Sequence, residues 1–213
     1  MTNPRAALLD LLARTSFRLG NFTLSSGAKS DYYIDCRTTT LHAEGGRLTG
    51  RAILELLEAH KIQAAAVGGL TLGADPVVSA VAIASACRAQ QQNGAPLIHG
   101  FLVRKAEKAH GTGRRIEGFC EKDAPVLIVD DVCTTGASTI TAIEAAREAG
   151  MRVIAAVCLV EREEAGGRAA LEAACQAGVP GEYGRRGGHG APFLSLFTAN
   201  DVKAAHVRQL SPQ

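Results

Sequence analysis

Two adjacent carboxylates, Asp130 and Asp131, stand just before Val132-Cys133-Thr134-Thr135-Gly136-Ala137-Ser138-Thr139, where Thr134, Thr135, Ser138 and Thr139 crowd hydroxyls into one turn. Hydroxyls and the free backbone N–H groups at a helix start donate into one small volume, which suits a phosphate monoester. The two acids would repel that anion unless something offsets their charge. Sugar hydroxyls donating to the carboxylates would do so, as would a hard cation such as magnesium shared with substrate oxygens and water. Phosphate, diol and cation together describe a ribose phosphate. An Asp-Asp pair alone reads as the solvated end of a strand before a capped helix; the attached hydroxyl-rich turn favours a site.

The flanking residues say how such a turn is positioned. Residues 126–129 form an apolar run suited to a strand buried on both faces, and residues 140–150 carry the Ala, Ile and Glu content of a helix. Strand-like runs recur at 64–67, 97–103, 153–160 and 193–197, and helical spacing at 47–60, 76–91, 137–150 and 168–178. The alternation predicts an α/β fold with a mainly parallel central sheet flanked by helices on both faces. Ligands in such sheets gather beyond the carboxyl ends of the strands, where Gly68, Arg104, Asp130 and Arg162 fall. Residues 22–35 predict a hairpin turned by Ser25, Ser26, Gly27 and Ala28, with Tyr32, Tyr33 and Ile34 in its return strand, forming a hood over that edge. Residues 1–20 predict an amphipathic helix capped by Asn3, opened by Pro4 and presenting Leu8, Leu9, Leu11 and Leu12.

The 213 residues suit a single domain, with about 1–40 contributing the hood and about 104–120 a mobile lid. No apolar stretch approaches the ~20 residues that span a bilayer, and the N-terminus lacks a signal-peptide pattern, so the cytoplasm is expected. A net charge of +2 gives no reason to expect nucleic acid or an anionic membrane as partner. Cys36, Cys87, Cys120, Cys133, Cys158 and Cys175 are scattered without a CxxC pair, which predicts reduced, mostly buried thiols and no zinc site, with Cys133 as a small filler in the turn. Residues 181–191, rich in glycine and holding Arg185, Arg186 and His189, predict a surface loop, and 209–213 a loose tail.

About twenty residues with little apolar content separate the strand ending near Val103 from the one starting near Val126, long for an ordinary connection. Arg104, Lys105, Lys108, His110, Arg114 and Arg115 concentrate positive charge there, and Gly111, Gly113 and Gly118 give the backbone freedom. Composition alone reads as a solvated basic loop; the length of the segment and its place after a strand at the active edge favour a lid over an anionic ligand.

Residues 126–139 resemble the phosphoribosyl pyrophosphate (PRPP) signature of the type I phosphoribosyltransferases. Three further segments resemble the orotate phosphoribosyltransferases among them: Phe22-Thr-Leu-Ser-Ser-Gly-Ala-Lys-Ser-Asp-Tyr-Tyr-Ile-Asp35, Gly69-Leu-Thr-Leu-Gly-Ala-Asp-Pro76 and Val103-Arg-Lys-Ala-Glu-Lys-Ala-His-Gly-Thr-Gly113. The resemblance implies the type I fold with its hood. It also implies transfer of phosphoribosyl from PRPP to orotate, giving orotidine 5'-phosphate and pyrophosphate with magnesium present. It implies that Arg104, Lys105, Lys108 and His110 reach the diphosphate, and that the lid serves the neighbouring subunit's site in a homodimer. By the same resemblance PRPP is expected to be met also by Asp130, Asp131, Val132, Cys133, Thr134, Thr135, Gly136, Ala137 and Ser138, and orotate to be met by Arg162, Thr134, Tyr33, Ile34 and Lys29. Lys105, Lys108, His110, Asp130 and Asp131 are the expected catalytic groups, and Asp130 and Asp131 face the metal through water or substrate. Two positions depart from the family pattern: Ser25 and Gly73 stand where relatives can have lysine.

Other readings compete. A regulatory protein can use the same fold to sense PRPP and bind RNA or DNA, against which the near-neutral charge argues. A purine or uracil phosphoribosyltransferase keeps the chemistry and changes the base, which Arg162 and the Tyr-Tyr pair disfavour. A dinucleotide-dependent dehydrogenase is disfavoured because no GxGxxG follows an early strand.

Overall fold

The computed structural model describes residues 3–23, 27, 29–105, 115–177 and 191–210. The first helix, α1 (Pro4–Thr15), starts as its sequence dictates. Asn3 Oδ1 accepts from the backbone N of Arg5 at 2.9 Å and of Ala6 at 3.4 Å, and proline opens the helix. It buries Leu8, Leu11 and Leu12 and ends at Thr15, short of the expected Gly20. From Phe17 the chain is extended. Strand β1 (Phe17–Thr23) pairs antiparallel with β2 (Lys29–Ile34), Phe17 opposite Ile34, so the hairpin begins at Phe17 rather than Phe22. Burial of Phe17 against Tyr32, their rings 5.4 Å apart, overrides the helical spacing of this stretch.

The foot of the hairpin is tied to the short helix α2 (Arg37–Thr40) by hydroxyls. Ser16 Oγ lies 2.6 Å from Thr39 Oγ1 and 2.9 Å from Thr38 Oγ1, and the Asp35 amide donates to the Ser16 carbonyl at 2.9 Å. Helices α3 (Ala43–Ala59) and α4 (Asp75–Gln91) follow, with β3 (Ala66–Leu70) between them. The rest of the chain supplies β4 (His99–Val103), β5 (Ile116–Gly118), β6 (Pro125–Cys133), α5 (Ala137–Glu148), β7 (Arg152–Glu161), α6 (Gly167–Gln176), β8 (Phe193–Thr198) and α7 (Ala199–Leu210). The short antiparallel β5 and the terminal α7 add to the expected elements, and Gln209 belongs to α7 rather than to a tail.

The main sheet runs β5-β4-β3-β6-β7-β8, parallel except for β5. Strand alternation sorts its side chains into two cores. Leu127 and Val129 of β6 pack with α1, α3, α4 and α7, whereas Val126 and Ile128 pack with α5 and α6 on the opposite face. Because β3, β4, β6 and β7 run the same way, their carboxyl ends share one edge. The hairpin stands beside that edge. Among the described residues no helix is long and apolar enough to cross a membrane.

Candidate active site

At the shared edge lies a cavity of about 620 Å³, open to solvent on one side. Strand β6 runs four residues further than the apolar run predicts, to Cys133, so Asp130 and Asp131 are strand residues and the turn proper is Thr134–Gly136. Gly136 takes the left-handed conformation, φ +78°, and α5 starts immediately after it. The first bond of the helix runs from the Ile140 amide to the Gly136 carbonyl at 2.9 Å, which leaves the amides of Ala137, Ser138 and Thr139 outside the helical ladder. These free amides stand where the sequence predicts anion donors.

The turn is packed from below. A Cβ at Gly136 would lie 2.7 Å from Leu171 Cγ, and one at Gly167 would lie 2.1 Å from the Thr134 carbonyl oxygen. The start of α6 therefore presses backbone to backbone against the turn. It is held there by Arg168, whose Nε donates to the buried carboxylate of Glu161 at 2.9 Å, and Ser195 Oγ donates to the same carboxylate at 3.0 Å. Neither Glu161 nor Arg168 was among the expected site residues. Their one sequence signal is opposite charge on either side of Gly166-Gly167.

Asp130 is 6 % exposed. Its Oδ2 accepts from Thr139 Oγ1 at 3.0 Å and its Oδ1 from the Asp131 amide at 3.0 Å. Asp131 Oδ1 accepts from the Val132 amide at 2.9 Å. Burial, and then repulsion from Asp131, push the Asp130 carboxyl up to about 7. Burial also raises Asp131, against the lowering effect of the Val132 amide and of Arg37. The pair therefore resists full ionisation and gains from any cation or hydroxyl donor brought to it. Among the described residues no three His, Cys, Asp or Glu side chains come together as a metal-holding group. A cation here would take most of its ligands from substrate oxygens and water, the habit of magnesium, with Asp130 and Asp131 as the protein side. The residues fit such an ion.

Tyr33, Ile34, Lys105, Asp130, Asp131, Val132, Thr134, Ser138 and Arg162 all line the cavity. The structure adds Asp35, Cys36 and Arg37 from the end of the hairpin, while Leu70 to Gly73, within the segment 69–76 that carries the family resemblance, line the cavity from the end of β3. Cys133 is buried beneath the turn rather than in the cavity wall, as a filler would be. Thr135, Gly136 and Ala137 shape the turn without lining the cavity. Arg104 sits back from the cavity, its Nε 3.0 Å from Glu117 Oε1. Lys29 stands at the outer end of the hairpin, its Nζ 3.3 Å from Thr23 Oγ1, away from the cavity. Gly73 faces Asp131 so closely that an added Cβ would lie 2.6 Å from Oδ1. A lysine there requires Asp131 to move, so glycine at 73 and this placement of Asp131 go together. Lys108 and His110, with most of the expected lid, lie outside the described residues, as do Ser25 and 181–190.

Arg162 continues from β7 into the cavity at 7 % exposure, its backbone amide bonded to the Cys133 carbonyl at 2.8 Å. Its Nε lies 3.0 Å from Glu164 Oε1 and 3.1 Å from the Tyr32 hydroxyl, and its Nη2 is 3.1 Å from Ser30 Oγ. Tyr32, rather than Tyr33, lies under the guanidinium, with Cζ 4.6 Å from the ring centroid.

A hydroxyl- and amide-lined turn, two reluctant acids and a buried arginine around one cavity at the carboxyl edge of a mainly parallel sheet define a type I phosphoribosyltransferase. The phosphoribosyl transferase domain model matches residues 111–171, the span from lid to α6. The chain is 43 % identical to the orotate phosphoribosyltransferase of Streptomyces avermitilis over 180 residues, 84 % of this chain and 93 % of that one. Its fold matches the crystal structure of Mycobacterium tuberculosis H37Rv orotate phosphoribosyltransferase in complex with Fe(III) dicitrate, with TM-score 0.71 and 36 % identity over 94 % of this chain and 99 % of the other. The same M. tuberculosis enzyme in complex with PRPP gives TM-score 0.68 and 33 % identity over 94 % and 99 % of the two chains. The chain belongs to the orotate phosphoribosyltransferase family.

Proposed function

We propose that the chain transfers the phosphoribosyl group of PRPP to orotate, giving orotidine 5'-phosphate and pyrophosphate in pyrimidine nucleotide synthesis. The observation that carries this is that the proposed phosphate turn, the acid pair and Arg162 all meet at one cavity. The turn from Thr134 to Ser138 anchors the 5-phosphate. Asp130 and Asp131 accept from ribose hydroxyls and favour positive charge on the ring as the bond from the anomeric carbon to the diphosphate breaks. Arg162 pairs with the orotate carboxylate, and Tyr33 and Ile34 flank the pyrimidine. The ring nitrogen then bonds to the anomeric carbon, so no protein nucleophile is needed and positioning with charge supplies the catalysis. Asp130 and Asp131 would hold magnesium on the protein side, and the ion would supply neutralisation of diphosphate charge.

Lys105, with Arg104, Lys108 and His110, brings cations to the leaving diphosphate, where charge accumulates in the transition state. Loss of one such contact, about 1.5 to 3 kcal/mol, slows turnover roughly ten- to a hundredfold. Lys105 lines this chain's own cavity, and we assign the rest of the lid to the neighbouring subunit's site in a homodimer. A groove between α3 and α4 that includes the exposed Leu41 and Ile83 offers apolar surface for a second copy. The net charge of +2 supports small molecules rather than nucleic acid as ligands. The six unpaired thiols support a cytoplasmic setting.

Incubating the purified chain with magnesium, PRPP and each base in turn tests the activity. Orotate consumption with release of pyrophosphate is expected. Silence with orotate alongside turnover of adenine, hypoxanthine or uracil would replace the base, and nucleic-acid binding without any turnover would favour the regulatory alternative.

A further inference from the structure

A buried guanidinium aimed at a ligand needs partners that neutralise it and fix its plane. Arg162 has them on one side. Glu164 follows in the 3-10 turn after β7, while Ser30 and Tyr32 come from β2, more than a hundred residues away. Tyr32 is itself locked, buried and stacked on Phe17 with an interplanar angle of 17°. Its hydroxyl accepts from Arg162 Nε and donates to Glu164 Oε1, closing a triangle of hydrogen bonds. Burial pushes the Tyr32 hydroxyl up to about 12, which keeps its donor proton in place. Burial works to raise the Glu164 carboxyl, and bonds from Tyr32 and Arg162 outweigh it and lower it, so the counter-charge persists. Among the described residues Nη1 makes no hydrogen bond, and Arg162 lines the cavity.

We infer that Tyr32, Glu164 and Ser30 form a brace that sets the recognition of the base carboxylate, by holding the Nε side of Arg162 and leaving its far edge for the ligand. The inference rests on the assignment of Arg162 to orotate. Tyr32 and Glu164 are positioning residues and touch no substrate. Without the brace the guanidinium rotates among several orientations, and the substrate carboxylate must order it on binding. The brace also joins the hairpin to the base end of the cavity, so hood and specificity are one unit.

The test compares the parent chain, Arg162→Ala, Tyr32→Phe and Glu164→Gln in full orotate and PRPP titrations. Tyr32→Phe keeps the ring on Phe17 and under Arg162 and removes only the hydroxyl, and Glu164 is half exposed, so both variants are expected to fold. The expected result is an orotate KM raised about tenfold in each brace variant, the loss of one charge-assisted bond's worth of order, with a PRPP KM moved less than about twofold. kcat at saturating orotate should change less than the orotate KM does. Adding Tyr32→Phe to Arg162→Ala should bring no further rise, because the brace acts only through the arginine. An unmoved orotate KM in both brace variants, or equal rises in both substrates' KM, overturns the brace. A parent that turns over orotate with an Arg162→Ala variant whose orotate KM is unchanged overturns the assignment of Arg162 itself.

Discussion

The two ends of the cavity are built on different principles. The phosphate end is glycine backbone in close contact: Gly136 in the left-handed region over the Leu171 side chain, and Gly167 against the backbone carbonyl of Thr134. The base end is side chain on side chain, with Arg162, Tyr32, Ser30 and Glu164 drawn from two distant segments. A close-packed backbone cradle has little room to adjust, and its amides serve any phosphate. A hydrogen-bonded side-chain cluster can be retuned residue by residue, so discrimination between bases belongs there.

The contrast breaks most visibly at Gly167. A methyl at that position would stand 2.1 Å from the Thr134 carbonyl and 2.7 Å from the Thr135 carbonyl carbon, both backbone atoms. Gly167→Ala is expected to cost about 3 kcal/mol of stability, near the upper end for overpacking. It should raise the PRPP KM more than the orotate KM, as read by thermal melts and paired titrations. A lost orotate affinity with PRPP untouched would dissolve the distinction between the ends.

Gly136→Ala should cost about 1 to 3 kcal/mol, from the φ of +78° and the 2.7 Å approach to Leu171. Pairing it with Leu171→Ala, which opens space beneath the turn, separates the two causes. The steric part should be relieved in the double variant and the backbone part should remain. Failure of the cycle to show any coupling would mean the turn rests on something other than α6.

At the base end, Arg162→Lys keeps the charge and removes the planar fork. An orotate KM raised about tenfold, or roughly 1.4 kcal/mol, is expected, with a smaller loss of melting temperature than either glycine variant shows. Equal losses at both ends would make the cavity one rigid unit.

The last effect is a slope with pH rather than a loss at one condition. Asp130, raised from 3.8 to about 7 in the folded chain, favours the protonated form there. Its contribution to stability is therefore full below the unfolded value and is lost as pH rises between 3.8 and about 7. In magnesium-free buffer the parent should lose stability relative to Asp130→Asn between about pH 4 and about pH 7, measured by melts at each pH. A flat difference would mean that the acid pair ionises freely, leaving nothing for a cation to relieve.

Much of this was legible beforehand because it is local. Asn3 with Pro4, the apolar run before Asp130 and the hydroxyls of Thr134 to Thr139 each act within a few residues, and the structure forms the helix, strand and turn they describe. What was misread lies where distant pairing competes with local pattern. Residues 17–20 continue a helical spacing, yet Phe17 gains more by pairing with Ile34. Helix α7 was missed because its buried stripe, Ala199, Val202 and Ala205, is small and thinly apolar. Asp35, Cys36 and Arg37 went unnoticed because their place at the cavity depends on how the hairpin foot is tied to Ser16 and α2.

The choice between Tyr32 and Tyr33 shows the division most sharply. Sequence alone set two aromatic residues side by side in a strand, which sends them to opposite faces. Only the register, Leu19 opposite Tyr32 and Arg18 opposite Tyr33, put the first under Arg162 and the second at the cavity wall. The amino-acid order by itself determined the alternating elements, the acid pair and the phosphate turn, because periodicity, capping and hydroxyl content act over one or two turns of chain. Tertiary structure alone decided the burial of Asp130, the wedge of Gly167 and the triangle around Arg162, because desolvation and contact between residues far apart in the chain exist only once the sheet has closed around them.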